Sequence, residues 1–323
     1  MPRRSQRSRT GRGRARPFVR RLPRALLLTA LAGTVAWAVL ALLPGDPAVL
    51  AAQNGDPATI ARLRAEMGLD HPLALRWGRW AGGLVRGDGG RLLGAGSPTW
   101  SAAAGPARNS LALLTLTLPL ILALGWAAGA AAGLRAGSRR DTMLSGGAQV
   151  TLSVPDFALT TLLLAVLAGG LRLLPAVSLL PPGAAPHERP AALVIPVIAI
   201  ALPGAAWLQR MVRGVVADAA AQPHVRAARL AGDHPLGILV HQVAPIARGP
   251  LAQASAGVVP YALAGTVVVE NVTGYPGIGS LLAGLIAGRE ADAVASITVV
   301  LAGLTALAFT IADTVADRPR GAR

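Results

Sequence analysis

Five histidines, His71, His187, His224, His234 and His241, are the residues from which a metal or acid–base site would have to be built. Their spacing supports neither. Metal ligands recur at short fixed intervals, and a catalytic histidine works beside a nucleophile and an orienting group. These five are scattered, and no carboxylate pair or nucleophile–base spacing recurs with them. His234 and His241 read as packing or surface groups. Cysteine is absent, which excludes disulfides, thiol nucleophiles and cysteine-ligated metals. Lysine is absent as well, so all 31 basic residues are arginines. A P-loop needs its lysine on the nucleotide phosphates, and this chain cannot supply one. The groups left with chemical leverage are two carboxylates inside apolar stretches, Asp156 and Glu270. A charge at membrane depth faces a cavity or a partner. Asp156 follows Pro155, where it could meet a solute or bridge to an arginine on a neighbouring helix. Glu270 precedes Gly274-Tyr275-Pro276-Gly277-Ile278-Gly279, whose glycines and proline exclude a regular helix. That segment reads as part of an outer gate, with a simple outer turn as the plainer alternative.

The elements that would position these residues are membrane spans. Apolar residues make up 53% of the chain and charged ones 14%, against about 25% charged in soluble domains. Alanine, leucine, valine and isoleucine supply most of the apolar content, as suits close helix packing in lipid. A bilayer core takes about 20 apolar residues as a helix. Six candidates follow, at about 25–43, 109–134, 143–168, 191–209, 251–269 and 294–313. The expected fold is all-α and polytopic. Pro119, Pro155, Pro196, Pro203 and Pro260 lie inside these spans, where neighbouring helices can satisfy the freed carbonyls. Gly146 and Gly147 in the third span would permit close helix contact.

Charge sets the orientation. Residues 1–24 hold ten arginines and no acid. With six spans, one side of the membrane receives 21 of the 31 arginines and five acids, and the other side ten arginines and nine acids. This bias places both termini in the cytoplasm. The 1–24 segment is then a basic tail that touches anionic lipid. Nucleic-acid binding has no recognition motif to support it. A cleaved signal peptide ending near Leu50-Ala51-Ala52 is a further alternative, against which the length of the apolar core argues.

Residues 44–108 form the long polar segment on the outer side. Asp56 is placed as a helix N-cap with Pro57 at the first helical position. Ile60, Leu63 and Met67 repeat at helical spacing, and Gly68 is the stop. A second amphipathic helix would carry Leu73, Trp77, Trp80 and Leu84, with Trp77 and Trp80 as interfacial anchors. The segment either caps the spans or also docks a receptor. On the opposite side, 215–250 is a polar loop between two apolar segments. Val225 to Ala231 are helix formers with small side chains, so another protein's surface could approach the backbone. Gly232 suits a left-handed cap, Pro235 stops the first helix, and a second starts near Leu236. Pro245 follows Gly232 by thirteen positions. An arginine-anchored loop without a partner is the simpler reading.

Motif order carries a resemblance. L-P-G-D-P at 43–47, I-A-R-L-R-A-E-M-G-L-D-H-P-L at 60–73 and R-W-x-x-G-L-V-R-G-D at 79–88 are followed by S-V-P-D-F at 153–157. V-R-A-A-R-L-A-G at 225–232 and V-V-E-N-V-T-G-Y-P-G-I-G at 268–279 complete the series. Together they resemble the dipeptide, oligopeptide and nickel ABC-transporter permeases, of the first-permease type, over about residues 25–316. The resemblance implies a permease domain over 109–316, with a first span at 25–43 and a short tail at 317–323. It implies an ATPase-coupling loop at 215–250 in which Arg226, Ala227, Ala228, Gly232 and Pro245 hold the motif positions. Arg226 stands where many relatives have glutamate, and Gln242 and Ala244 where the general motif prefers isoleucine and leucine. The implied partners are a second homologous permease, two ABC ATPase subunits, an extracytoplasmic binding protein and the lipid bilayer. No cofactor is expected in this chain, since the ATPases would bind ATP and magnesium. The cargo would be a peptide or a related small solute such as nickel. A secondary transporter, a channel and a non-transporting scaffold are the rivals.

Overall fold

The computed structural model of the protein describes residues 16–52, 55–93, 95–181 and 184–317. The chain is all-α. The long first helix, α1 (Arg16–Leu42), leads into three short helices, α2 (Pro47–Ala52), α3 (Pro57–Glu66) and α4 (Leu73–Val85). Then come α5 (Thr99–Gly133), α6 (Arg139–Ser153) and α7 (Asp156–Leu163), the last continued by a π-helical turn, and α8 (Pro190–Ala220). The second half holds α9 (Pro223–Leu230), a single turn α10 (Pro235–Gly237), a π-helical stretch over Ile238–Val243, and α11 (Ala244–Ala256). It closes with α12 (Val258–Thr273), α13 (Ile278–Ala287) and α14 (Ala291–Ala316). Among the described residues five helices are long and apolar enough to cross a bilayer, or six if the bent pair of α6 and α7 counts as one span.

Several element boundaries differ from those expected. The first apolar span, expected at 25–43, falls on α1, which starts at Arg16 because arginine is a good helix former and the basic segment continues the helix. The outer segment 44–108 ends early: helix α5 starts at Thr99, directly after Pro98. The expected fifth span, 251–269, lies within one longer helical run over Pro235–Thr273, and Pro245 of the 215–250 loop falls inside that run. The third span, 143–168, is not a single rod. It bends by 95° at Val154-Pro155. Pro155 has no N–H to give α6, and it starts α7 instead. Gly146 and Gly147 make no close contact, since a Cβ at either would meet open space. Residues 1–15 of the basic tail and 318–323 of the terminal tail lie outside the described residues.

Close contact occurs elsewhere. Gly125, Gly129 and Gly133 form a stripe at four-residue spacing along α5, facing Leu208, Val212 and Val216 of α8. A Cβ at each glycine would lie 2.7 Å from the Cβ of its partner, closer than side chains tolerate. The missing side chains let the two backbones approach, as small residues do between helices in lipid. Leu208, Val212 and Val216 are fully buried in the resulting core. A bidentate pair adds direction at one end of α8: Arg213 donates to Asp141 of α6 at 3.0 and 2.7 Å.

Antiparallel α1 and α14 form the other long pair. Trp37 Nε1 donates to Asp292 at 2.7 Å near one end, and Arg21 meets Asp317 at 2.8 Å near the other. Helix α4 closes over the Trp37 end. The short helices are locally encoded: the Asp56 carboxylate accepts from Thr59 N–H at the start of α3, with Pro57 at the first position. Hydrogen bonding to the Thr59 side chain, and then to its backbone N–H, holds the Asp56 carboxyl below its ordinary value. Gly68, at φ +64°, turns the chain after it.

Candidate functional sites at the two ends of the molecule

Two places collect the residues singled out in the sequence. The first surrounds Glu270, at the C-terminal end of α12. This side chain is 0% exposed. Its carboxylate accepts from Gly279 N–H at 2.7 Å and Ser280 N–H at 3.2 Å, while Ser110 Oγ donates to it at 2.6 Å. The same Ser110 hydroxyl accepts from Ile278 N–H at 2.7 Å. These are the first three amides of α13, the donors that a helix N-terminus leaves without partners. A carboxylate and a hydroxyl from two other helices satisfy all three, and the negative charge meets the positive end of the helix dipole.

The glycines make this clasp possible. A Cβ at Gly277 would overlap the Glu270 carboxylate, and one at Gly279 would run into the backbone of Val267. Gly274 ends α12 in the left-handed conformation, at φ +68°. Tyr275 is fully buried, and its hydroxyl donates to the carbonyl of Asn109 at 2.9 Å. Asn109 Nδ2 returns a bond to the carbonyl of Pro276 at 2.8 Å. The turn is thus tied to α5 from both sides. Gly279 departs from the expectation of a fully irregular segment, for it lies inside α13. Ser110 and Asn109, which complete the clasp, carried no signal of their own in the sequence, being some 160 residues away from it.

Asp156 does not join this group. It starts α7 and is half-buried. Among the described residues no arginine lies within ion-pair distance of it, so the bridge to a neighbouring helix expected for it is not formed. An arginine–carboxylate pair is formed instead between α6 and α8, by the buried Asp141 and the part-exposed Arg213. The tryptophans of α4 also part company. Trp77 is 41% exposed, as an interfacial anchor would be. Trp80 is 6% exposed and belongs to the core, with Nε1 donating to Ser296 Oγ of α14 at 3.0 Å. Its ring packs with Trp37, Ala291 and Ala295, so its anchoring role is replaced by a packing one.

The second place is the turn between α9 and α10, at the opposite end of α8. Val225 is buried and fixes α9 against the body, and Arg229 donates to the carbonyl of Leu134 at 2.8 Å. Beyond these two anchors everything is exposed: Arg226, Ala227, Gly232 and Pro235, with Ala228 half-buried. Gly232 has φ +87°, so the left-handed turn read from the sequence is present. A Cβ there would meet nothing within 4 Å, so backbone conformation alone calls for glycine. Asp233 N–H closes the turn on the carbonyl of Ala228 at 3.1 Å. Leu230 and Leu236, on either side of the turn, are 84% and 64% exposed. Such leucines at the tip of a projecting turn were legible as residue types but not as exposed ones. Pro245 is exposed farther along, within α11.

Comparison with known proteins bears on both ends. Residues 113–321 match the family described as binding-protein-dependent transport system inner membrane component. Residues 15–124 match the N-terminal region described for such membrane components. A probable peptide ABC transporter permease protein of Sinorhizobium fredii is 28% identical over 299 residues, covering 92% of this chain and 95% of that relative. A putative peptide transport system permease protein of Brucella abortus is 27% identical over 308 residues, covering 92% and 97%. The oligopeptide transport system permease protein OppB of Mycobacterium bovis is 28% identical over 316 residues, covering 93% and 96%.

Proposed function

We propose that this chain, which belongs to the family of binding-protein-dependent transport system inner-membrane components, forms one half of a peptide-conducting pore driven by a separate ATPase. The reading pairs it with a second, homologous permease, two ABC ATPase subunits and an extracytoplasmic peptide-binding protein. It places both termini and the α9–α10 turn in the cytoplasm, following the arginine bias. Peptide cargo is supported by the relatives, whose names give peptide or oligopeptide transport. The chain itself holds no nucleotide. ATP and magnesium belong to the ATPase subunits, in keeping with the absence of lysine from the sequence.

The observation that carries the coupling assignment is the tip formed by Leu230, Gly232 and Leu236. Large apolar side chains exposed together on a projecting turn mark a surface that another protein covers. Short α9 follows α8 after only two residues, so a push on the tip is delivered to one of the longest helices in the molecule. Closure of the ATPases would move this tip and switch the pore between its inward-open and outward-open states by rigid-body motion. The Glu270 clasp lies at the far end, where it fixes the α12–α13 turn as part of the wall of the outer opening.

The test is co-purification of the ATPase and ATP-driven peptide uptake in vesicles. Gly232→Val is expected to leave the protein inserted while the ATPase dissociates or its hydrolysis no longer drives uptake. Normal uptake by this variant would remove the tip from the coupling pathway and with it the central assignment.

A further inference from the structure

A groove opens between α1, α11 and α14 at the end of the molecule that also carries the α9–α10 tip. Its volume is about 760 Å³, within the range of about 300–1,000 Å³ usual for ligand sites. Arg21 and Arg24 line one end; Leu28, Ala302, Ala306 and Phe309 line the rest. The groove is therefore amphipathic along its length, and its apolar wall belongs to two helices that cross the bilayer.

Charge distinguishes the two arginines. Arg21 is engaged by Asp317 at 2.8 Å and Asp313 at 3.4 Å. Asp313 also accepts a hydrogen bond from Gln253 of α11. Arg21 Nη1 is the buried atom that faces Asp313, so the two carboxylates hold this guanidinium in place and Arg24 is left as the cation open to a ligand. Arg24 is exposed, and no carboxylate lies within 4 Å of it among the described residues. The flanking sequence adds cationic charge: residues 1–20 contain eight arginines and no acid, and residues 318–323 three more arginines.

We propose that this groove is a binding site for one anionic glycerophospholipid. Its phosphate would sit at Arg24, and an acyl chain would lie along Leu28, Ala302, Ala306 and Phe309. The chemistry fits from both ends. Guanidinium groups match phosphate oxygens, and an acyl chain fills an apolar wall that faces the hydrocarbon core. A net-negative head group is favoured over a zwitterionic one by the uncompensated arginine and the basic sequence around it. The proposal requires only that the chain spans a membrane, and it stands or falls independently of the ATPase-coupled reading.

The experiment uses the full chain purified in detergent, with retained lipid read by native mass spectrometry after exposure to equimolar phosphatidylglycerol and phosphatidylcholine. One phosphatidylglycerol is expected to be retained preferentially. Arg24→Gln is expected to reduce that preference by on the order of fivefold, the weight of one arginine at an anionic surface. Ala306→Phe, which fills the groove, is expected to lower retention of both lipids while thermal stability is kept. Inorganic phosphate at millimolar concentration is expected not to compete, because it has no acyl chain. Equal retention of the two lipids, or unchanged retention in either variant, would overturn the site. So would full displacement by inorganic phosphate, which would leave a bare anion site with the groove idle.

Discussion

The Glu270 clasp and the α9–α10 tip are both short turns between helices, both use glycine at a left-handed φ, and they differ in everything else. At the clasp, the carboxylate is fully buried, and the first three amides of α13 have partners within the chain. Two of its glycines are required because a Cβ would collide with a side chain or a backbone. At the tip, Gly232 has open space on every side, and the neighbouring leucines face outward. One turn is finished by the fold. The other is left for a partner to complete. The contrast teaches that the same residue type can mark a rigid fixture or a docking point, and that the surrounding space decides which.

Glu270→Ala should show the largest effect. It strips acceptors from Gly279, Ser280 and Ser110, and each buried donor left alone costs about 1–3 kcal/mol. A loss of more than about 4 kcal/mol is expected, read as a lower unfolding midpoint in detergent. A near-neutral result would mean that the clasp is not the fixture described. Trp80→Ala should follow, at about 3–4 kcal/mol for an emptied aromatic site that also takes one hydrogen bond from Ser296. Trp77→Ala, its exposed neighbour on the same helix, should change the midpoint far less. Equal effects from the two would undo the division between anchor and core.

Gly232→Val sharpens the comparison from the other side. Placing a β-branched residue at φ +87° costs about 1–2 kcal/mol, yet nothing surrounds the new side chain to clash with it. The unfolding midpoint should therefore move little while ATP-driven uptake is lost. A large drop in stability would show that the tip is built into the core after all. The smallest change is expected at Asp56→Ala, which removes the cap of α3. Because the folded-state pKa of Asp56 is depressed, the cap's contribution is present above the ordinary carboxylate pKa of 3.8 and fades as pH falls through the lower folded value. Hydrogen exchange in α3 should rise on acidification in the wild type and show no such step in the variant.

How much of this was legible depends on the range of the interaction. The cap at Asp56, the stop at Gly68 and the turn at Gly232 rest on rules that operate within four residues, and all three are present. Pro155 announced a break but not its 95° angle, because proline only removes a donor while packing sets the direction. Trp80 could not be separated from Trp77 by periodicity, since both sit on a strongly amphipathic helix and only contact with α14 buries one of them. The four-residue glycine repeat on α5 is a readable helix-contact stripe, whereas at Gly146-Gly147 an added Cβ would meet nothing within 4 Å. Ser110 with Glu270 and Asp141 with Arg213 are pairs of ordinary residues 160 and 72 positions apart. No local pattern links such partners, and only the folded chain brings them together.

The glycine stripe between α5 and α8 has a mechanical meaning. Side chains between two helices act as a cushion: rotamers shift, and small displacements are absorbed. Here the cushion is missing over three successive contacts, so the two backbones bear on each other almost directly. Packed interiors of low compressibility transmit strain. Along the stripe, α5 and α8 therefore move as one body. Arg213 and Asp141 brace this stretch, and Asn109 and Ser110 tie the far part of α5 to the α12–α13 turn. A displacement applied beside Ala220 is then carried undiminished as far as Gly125 and Leu208, beyond which Pro119 and Pro203 give the two helices a place to bend.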